Sequence, residues 1–271
     1  GEAIANTLVS HLISHANQEG YSCIKLFTKP KNRQLFESLS FRLLAEAPEA
    51  VLMETGIGGI SNTVEALKKI KEESEKYKEY NKECKEIGKT NLNTTTPQYL
   101  NTSYLNTSYL NTSTPQHLNT TLPRGGVVVM NCNPFTLGHR YLIEQAAKQV
   151  ERLYVMVVRE DCSLFAYTER KAMVEQGVAD IENVNVIDGS DYAISRATFP
   201  TYFLKRLDDA ADTQMLLDLD LFRRHIAPAL GATVRFVGTE PTDQLTRRYN
   251  QLMHEALKDV RETDRLEKDG N

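Results

Sequence analysis

Apolar positions recur on two different periods along this chain, and each change of period marks a new element. Ile4, Leu8, Leu12 and Ile13 fall three and four residues apart, which predicts an amphipathic helix at the start. Cys23 to Phe27 and Ala50 to Met53 are short apolar runs that read as strands, with a short helix around Arg33 to Leu39 between them. From Gly125 onward, strand and helix patterns alternate. Val127 to Met130, Leu153 to Val158 and Val184 to Ile187 read as strands, and helices are expected to open at Gly138 and to span Glu169 to Ile181. Beyond them the pattern predicts helices over Thr198 to Leu207, Leu221 to Leu230 and Asp243 to Val260, with strands near Met215 to Leu217 and Val234 to Val237. Such alternation specifies an α/β fold, a parallel sheet covered on both faces, here preceded by a smaller α/β unit.

The stretch between these units has no core-forming pattern. Ser61 to Lys89 is dense in Lys and Glu and reads as a solvated helix, held by opposite charges three or four residues apart, that acts as a spacer. Tyr-Leu-Asn-Thr-Ser then repeats from Tyr99, Tyr104 and Tyr109 within an Asn- and Thr-rich run, a composition expected to be disordered. Asn101, Asn106 and Asn111 satisfy the glycosylation pattern as a by-product of the repeat. The expected domains are 1–60, 61–124 with the charged helix and low-complexity linker, and 125–271.

Composition narrows the function classes without choosing one. A 41% hydrophobic content over 271 residues suffices for one large or two modest cores. The net charge of −4 leaves no basic footprint for nucleic acid, and no apolar run is long enough for a membrane span, so a cytoplasmic protein is expected. Cys23, Cys84, Cys132 and Cys162 show no C-x-x-C pairing and read as free thiols. Cys132 reads as a small buried thiol, not a nucleophile. Glu160 and Asp161 follow a strand within reach of a Mg²⁺ ion, although an exposed acidic loop accounts for them as well, and no metal ligands are assigned.

Chemistry concentrates between Gly125 and Gln149, where a strand, an Asn-Pro turn and a helix opening follow one another. A helix N-terminus offers unpaired N–H groups and a partial positive charge, so a phosphate placed there is bound partly by backbone alone. Gly138 permits close approach and His139 adds a donor. The residues Asn133, Pro134, Phe135, Thr136, Leu137, Gly138 and His139 resemble the (H/T)-x-G-H signature of the nucleotidyltransferase superfamily, with Thr at its first position. With Tyr192 to Lys205, Leu219 to Leu230 and Arg235 to Pro241, they resemble the citrate lyase ligase family over residues 1–54 and 125–270.

That resemblance implies a Rossmann-like nucleotidyltransferase sheet and a two-step reaction. Acetate attacks the α-phosphate of ATP, assisted by Mg²⁺, giving acetyl-adenylate and pyrophosphate. The prosthetic-group thiol of the citrate lyase acyl carrier then takes the acetyl group and releases AMP. It implies catalytic roles for His139 and Thr136 and a nucleotide site of Asn133, Pro134, Phe135, Thr136, Gly138, His139, Arg196, Gly238, Thr239 and Glu240. Lys205 joins the cleft by the same resemblance, and surface charge or core packing accounts equally well for Arg196, Lys205 and the Gly238 turn. The first fifty-odd residues resemble half of a GNAT acetyltransferase, with Gly1 and Ala3 where that fold meets a coenzyme A-like arm; a helix and strands packing without a ligand is the alternative. The family continues past Asp264 to Gly270 into a Ser-x-Ser-x-x-Arg signature that holds phosphates, so the chain is expected to be a fragment or the product of an incomplete gene model. Two other functions stay open: an adenylyltransferase for a phosphorylated pantetheine derivative, and an inactive nucleotide-binding remnant.

Overall fold

The computed structural model describes residues 2–90, 122–159, 163–190, 192 and 207–265. The chain opens with helix α1 (Glu2–Gln18), then β1 (Cys23–Thr28), α2 (Arg33–Ser38), β2 (Arg42–Glu46) and β3 (Val51–Gly56). These strands form an antiparallel sheet in the order β1-β3-β2. Helix α3 (Ile60–Thr90) follows. The second sheet takes β4 (Gly126–Met130), β5 (Leu153–Val157), β6 (Val184–Asp188), β7 (Val234–Gly238) and β8 (Val260–Thr263), interspersed with α4 (Leu137–Ala147), α5 (Tyr167–Gly177), α6 (Leu207–Leu221), α7 (Ala227–Leu230) and α8 (Gln244–Ala256). Its order is β6-β5-β4-β7-β8 with every pairing parallel. Counted within this sheet the order is 3-2-1-4-5, the doubly wound arrangement whose switch point lies between β4 and β7.

Side-chain alternation along β4 divides two cores. Val128 and Met130 face α4 and α5, joining Ile143, Ala146 and Val174, while Val127 and Val129 face α6, joining Leu217, Leu221 and Phe222. The second core is shared by both sheets, because Leu44, Ala45, Leu52, Ile60 and Leu67 belong to it. The charged helix is therefore not solvated all round. Ile60 and Leu67 are buried, with Val64 and Ile70 packed behind them, since apolar residues three and four apart form one stripe on an otherwise charged helix. At the opposite end of the chain, α1 turns Val9 and Ile13 toward a small core with Phe41, while Ile4, Leu8 and Leu12 are 75%, 59% and 56% exposed.

Three elements depart from the sequence expectation. Met215 to Leu217 lies inside α6, where Leu216-Leu217-Asp218-Leu219-Asp220-Leu221 alternates like a strand but continues without a break into a π-helical turn, Phe222–Ile226. The helix begun after Asp243 ends at Ala256, and Val260 to Thr263 pairs with β7 as an edge strand whose charged residues hid it. Arg42 to Glu46 forms β2, which the pattern had left without an element. The predicted helix over Thr198 to Leu207 lies almost wholly outside the described residues, as does the repeat.

A buried carboxylate joins the two sheets. Glu54 on β3 is fully buried and accepts from Arg42 Nε at 2.8 Å, from the Ile60 backbone N–H at 3.2 Å and from the Tyr192 hydroxyl at 2.6 Å, Tyr192 lying just beyond β6. Burial pushes its pKa up, but the hydrogen bonds from Tyr192, Arg42 and Ile60 outweigh burial and hold it below the ordinary value. The unfolded chain therefore takes up this proton first, so the stabilisation is complete above the ordinary carboxylate pKa and is lost as pH falls through the lower folded value. Thermal melting from pH 7 to 3 should show a steeper acid loss in the wild type than in E54Q, which removes the titrating group. Equal slopes would refute this assignment.

Candidate active site

The turn between β4 and α4 is built to fix the start of α4. Thr136 has extended backbone (φ −128, ψ 167) and caps the helix: its Oγ1 accepts from the His139 N–H, while His139 Nδ1 accepts from the Thr136 N–H at 3.0 Å. This is a capping box in which histidine takes the place usually held by Glu or Gln. Thr136 Oγ1 also lies 2.9 Å from Nδ1. Whichever Thr136 group donates, Nδ1 is the acceptor, so the ring proton resides on Nε2. Burial lowers the His139 pKa, so the ring is neutral at pH 7 and presents one N–H donor. Long-range ¹H–¹⁵N NMR should find Nδ1 unprotonated and Nε2 protonated at pH 7; the opposite tautomer would mean that the box is not formed in solution.

Neighbouring side chains hold this ring and its turn. The Phe135 ring stacks on His139 with centroids 5.9 Å apart and planes 17° apart, and its other side closes on Gly177, where an added Cβ would meet Phe135 at 2.3 Å. Asn133 Oδ1 accepts from the Phe165 N–H at 3.1 Å, tying the turn to the segment before α5. Gly138 is different. A Cβ there would meet nothing nearer than Thr136 Oγ1 at 3.7 Å, so no packing inside the protein demands glycine, and the bare backbone is left open at the helix N-terminus.

Arg170, which carries no motif signal, organises the floor of the turn. It is fully buried on α5 and donates to the Asn131 carbonyl at 2.6 Å, Asn131 Oδ1 at 2.8 Å, the Val158 carbonyl at 2.9 Å and the Phe165 carbonyl at 3.1 Å. One guanidinium thus binds the carboxyl ends of β4 and β5 and the chain entering α5. Cys132 within the same turn is buried, and burial pushes its thiol up to about 12, so no thiolate is present at neutral pH. Cys23 is likewise a free cysteine, and burial raises its pKa as well; the side chains of Cys84 and Cys162 lie outside the described residues.

Gly238 and Thr239 stand at the carboxyl edge of β7, beside the β4 edge. The Gly238 carbonyl accepts from Asn250 Nδ2 at 3.1 Å, and the Thr239 N–H donates to the Thr263 carbonyl at 2.9 Å. Glu240 was expected to face a nucleotide. Its carboxylate accepts from the Thr242 hydroxyl at 2.7 Å and from the backbone N–H groups of Asp243 and Thr242, which hold its pKa down at about 2, and it pairs with Arg265. It orders the loop entering α8. Arg196, Lys205, Glu160, Asp161 and Gly1 lie outside the described residues, and nothing is described of the Ala3 side chain.

A cavity of about 490 Å³ lies on the α6 face of the sheet, in the range that accommodates small molecules. It runs from the Asn131 turn and Gly189 at the strand ends down to Arg235, and neither Thr136 nor His139 lines it. The cavity and the start of α4 therefore lie on opposite faces of the sheet, and Asn131, just past the end of β4, lines the cavity.

Residues 125–271 match the family of the citrate lyase ligase C-terminal domain. The chain is 38% identical over 279 residues to the [citrate [pro-3S]-lyase] ligase of Klebsiella pneumoniae, covering 100% of this chain and 68% of that protein. The chain belongs to the citrate lyase ligase family. The Haemophilus influenzae ligase is 35% identical over 96% of this chain and 64% of its own length, so the chain spans about two thirds of both relatives. A bifunctional NMN adenylyltransferase/ADP ribose pyrophosphatase from Francisella tularensis superposes with a TM-score of 0.34 at 14% identity, over 55% of this chain and 39% of that one, too distant a likeness to carry an argument. Among the described residues, no helix is long and apolar enough to cross a membrane.

Proposed function

We propose that this chain carries the adenylating centre of a citrate lyase ligase. ATP lies with its phosphates on the N-terminus of α4, against the Gly138 backbone, and the Nε2–H of His139 donates to the phosphoryl oxygens. An acetate oxygen forms a bond to the α-phosphorus while the bond to the bridging oxygen breaks, and pyrophosphate leaves. The carrier thiol then attacks the acetyl carbon, the acyl–oxygen bond breaks, AMP departs and the thiol proton passes to solvent. Thr136 holds His139 in place, and the N-terminal unit, with Gly1 and Ala3 at the start of the chain, receives the pantetheine-like arm of the carrier.

The observation that carries this reading is the His139 tautomer fixed by the Thr136 cap, because catalysis of phosphoryl attack by a substrate oxygen requires positioned donors and not a protein nucleophile. The thiol of Cys132, pushed up to about 12, is consistent with that chemistry. Mg²⁺ enters as the counter-ion of ATP, and no step is assigned to a protein-held metal. The test is exchange of labelled pyrophosphate into ATP by this chain, with and without acetate. Acetate-dependent exchange supports the reading. Exchange driven by 4′-phosphopantetheine and indifferent to acetate would replace it with the adenylyltransferase alternative, and ATP binding without exchange would leave a nucleotide-binding remnant.

A further inference from the structure

Two walls of the cavity on the α6 face are fastened to the N-terminal sheet. On one wall Gly189 and Ser190 follow β6, and Ser190 Oγ accepts from the Tyr192 N–H at 3.0 Å. The Tyr192 ring lies in the core shared with Leu44 and Leu52, with the Lys25 ammonium 3.4 Å from its centroid. Its hydroxyl donates to Glu54 of β3 at 2.6 Å, a carboxylate already fixed by Arg42 and the Ile60 N–H. On the other wall Phe222 and Ile226 line the cavity from the π-helical turn. Between them His225 Nε2 donates to the Leu44 carbonyl at 2.9 Å, and Asp220, just before the turn, accepts from the Glu46 N–H at 2.9 Å. Leu44 and Glu46 belong to β2, an edge strand of the N-terminal sheet. Backbone groups of that strand thus hold a π-helical turn, a distortion that occurs frequently at functional sites.

We infer that Tyr192 and His225 are positioning residues that couple this cavity to the N-terminal sheet, so that a small apolar molecule filling the cavity tightens the sheet contacts and a shift of the sheet changes what the cavity binds. The lining supplied by Val129, Met156, Met215 and Leu221 suits such a molecule. Each wall ends on a different strand of the sheet, one on β3 through Glu54 and the other on β2 through Leu44 and Glu46. The two strands pair with each other, so both walls move with one rigid body. Coupling of this kind is reciprocal, and each end can be read separately. Cys23 reports the sheet end: its thiol is partly exposed, 3.5 Å from Glu54 Oε2 and 4.0 Å from the Tyr192 hydroxyl oxygen.

The test uses the full chain, with the neutral dye N-phenylnaphthylamine as the probe and alkylation of Cys23 by iodoacetamide, followed by peptide mass, as the second readout. The dye should bind saturably to the wild type and lose that binding in L245W, which narrows the cavity at a partly exposed lining residue. Y192F and H225A should each weaken it about 5- to 10-fold, the equivalent of one hydrogen bond. Saturating dye should slow Cys23 alkylation several-fold in the wild type and in H225A, whose Tyr192 link is intact. It should leave the rate unchanged in Y192F and L245W, a pattern that a merely structural role for Tyr192 would not produce. If Y192F does not fold, H225A and the comparison of the wild type with L245W still decide. No dye binding by the wild type, wild-type affinity in either folded variant, or a Cys23 rate indifferent to dye in the wild type overturns the inference.

Discussion

Replacement of His139 by alanine is expected to slow acetate-dependent pyrophosphate exchange about 10²- to 10³-fold, the usual cost of removing one positioned donor from developing oxyanion charge. The same change removes half of the capping box, because the Thr136 N–H loses its acceptor at Nδ1. Loss of a cap costs about 1 kcal/mol of stability. The two effects are separable. H139Q supplies the side-chain acceptor that a capping box ordinarily uses at this position, so it should recover most of the stability lost in H139A. Its amide, tied to the Thr136 N–H through oxygen, presents nitrogen donors on a longer and looser chain, so the rate should recover only in part. Melting temperatures and exchange rates of the three proteins decide between roles. If H139A melts lower but exchanges at the wild-type rate, His139 is a cap and nothing more.

The same box shows what the sequence made legible. A buried-strand run, an Asn-Pro turn and Thr-x-Gly-His placed the β4 edge and the helix start to within a residue, because each depends on local backbone chemistry. Asp243 as a helix cap is equally local, accepting from the Thr246 N–H at 2.8 Å. Where tertiary contacts decide, local reading failed. Leu217, Asp218 and Leu219 alternate as a strand would, yet continuity with the following helical turn and burial against two cores make them helix. The partners of Glu240, namely Thr242, Asp243 and Arg265, are set by how the loop closes and not by its own turn sequence. Ile60 and Leu67 sit in a run dominated by Lys and Glu, so their burial depends on a sheet that begins some sixty residues later. Arg170 and Arg235 are single arginines in a helix and a strand, and no spacing distinguishes a buried arginine from a surface one.

Arg170 gives the largest expected loss of stability. Replacing it with Met removes the donor shared by three backbone carbonyls, those of Asn131, Val158 and Phe165, and by the Asn131 side chain, in a site closed to water. Each acceptor left unsatisfied costs about 1–3 kcal/mol, so R170M should lose roughly 3–5 kcal/mol after relaxation of the loops. The Arg does not touch the proposed nucleotide, yet its loss frees Asn131, the first residue of the turn that carries Thr136 and His139. ATP affinity should therefore fall with stability, and both should be measured at a temperature where R170M remains folded. R170K tests the geometry: its single ammonium keeps the charge but cannot span carbonyls from three segments, so it should restore little of either. A stable R170M with wild-type ATP affinity would mean that the turn is held by the Thr136 cap and the Phe135–His139 stack alone, and that the buried arginine only fills space beneath it.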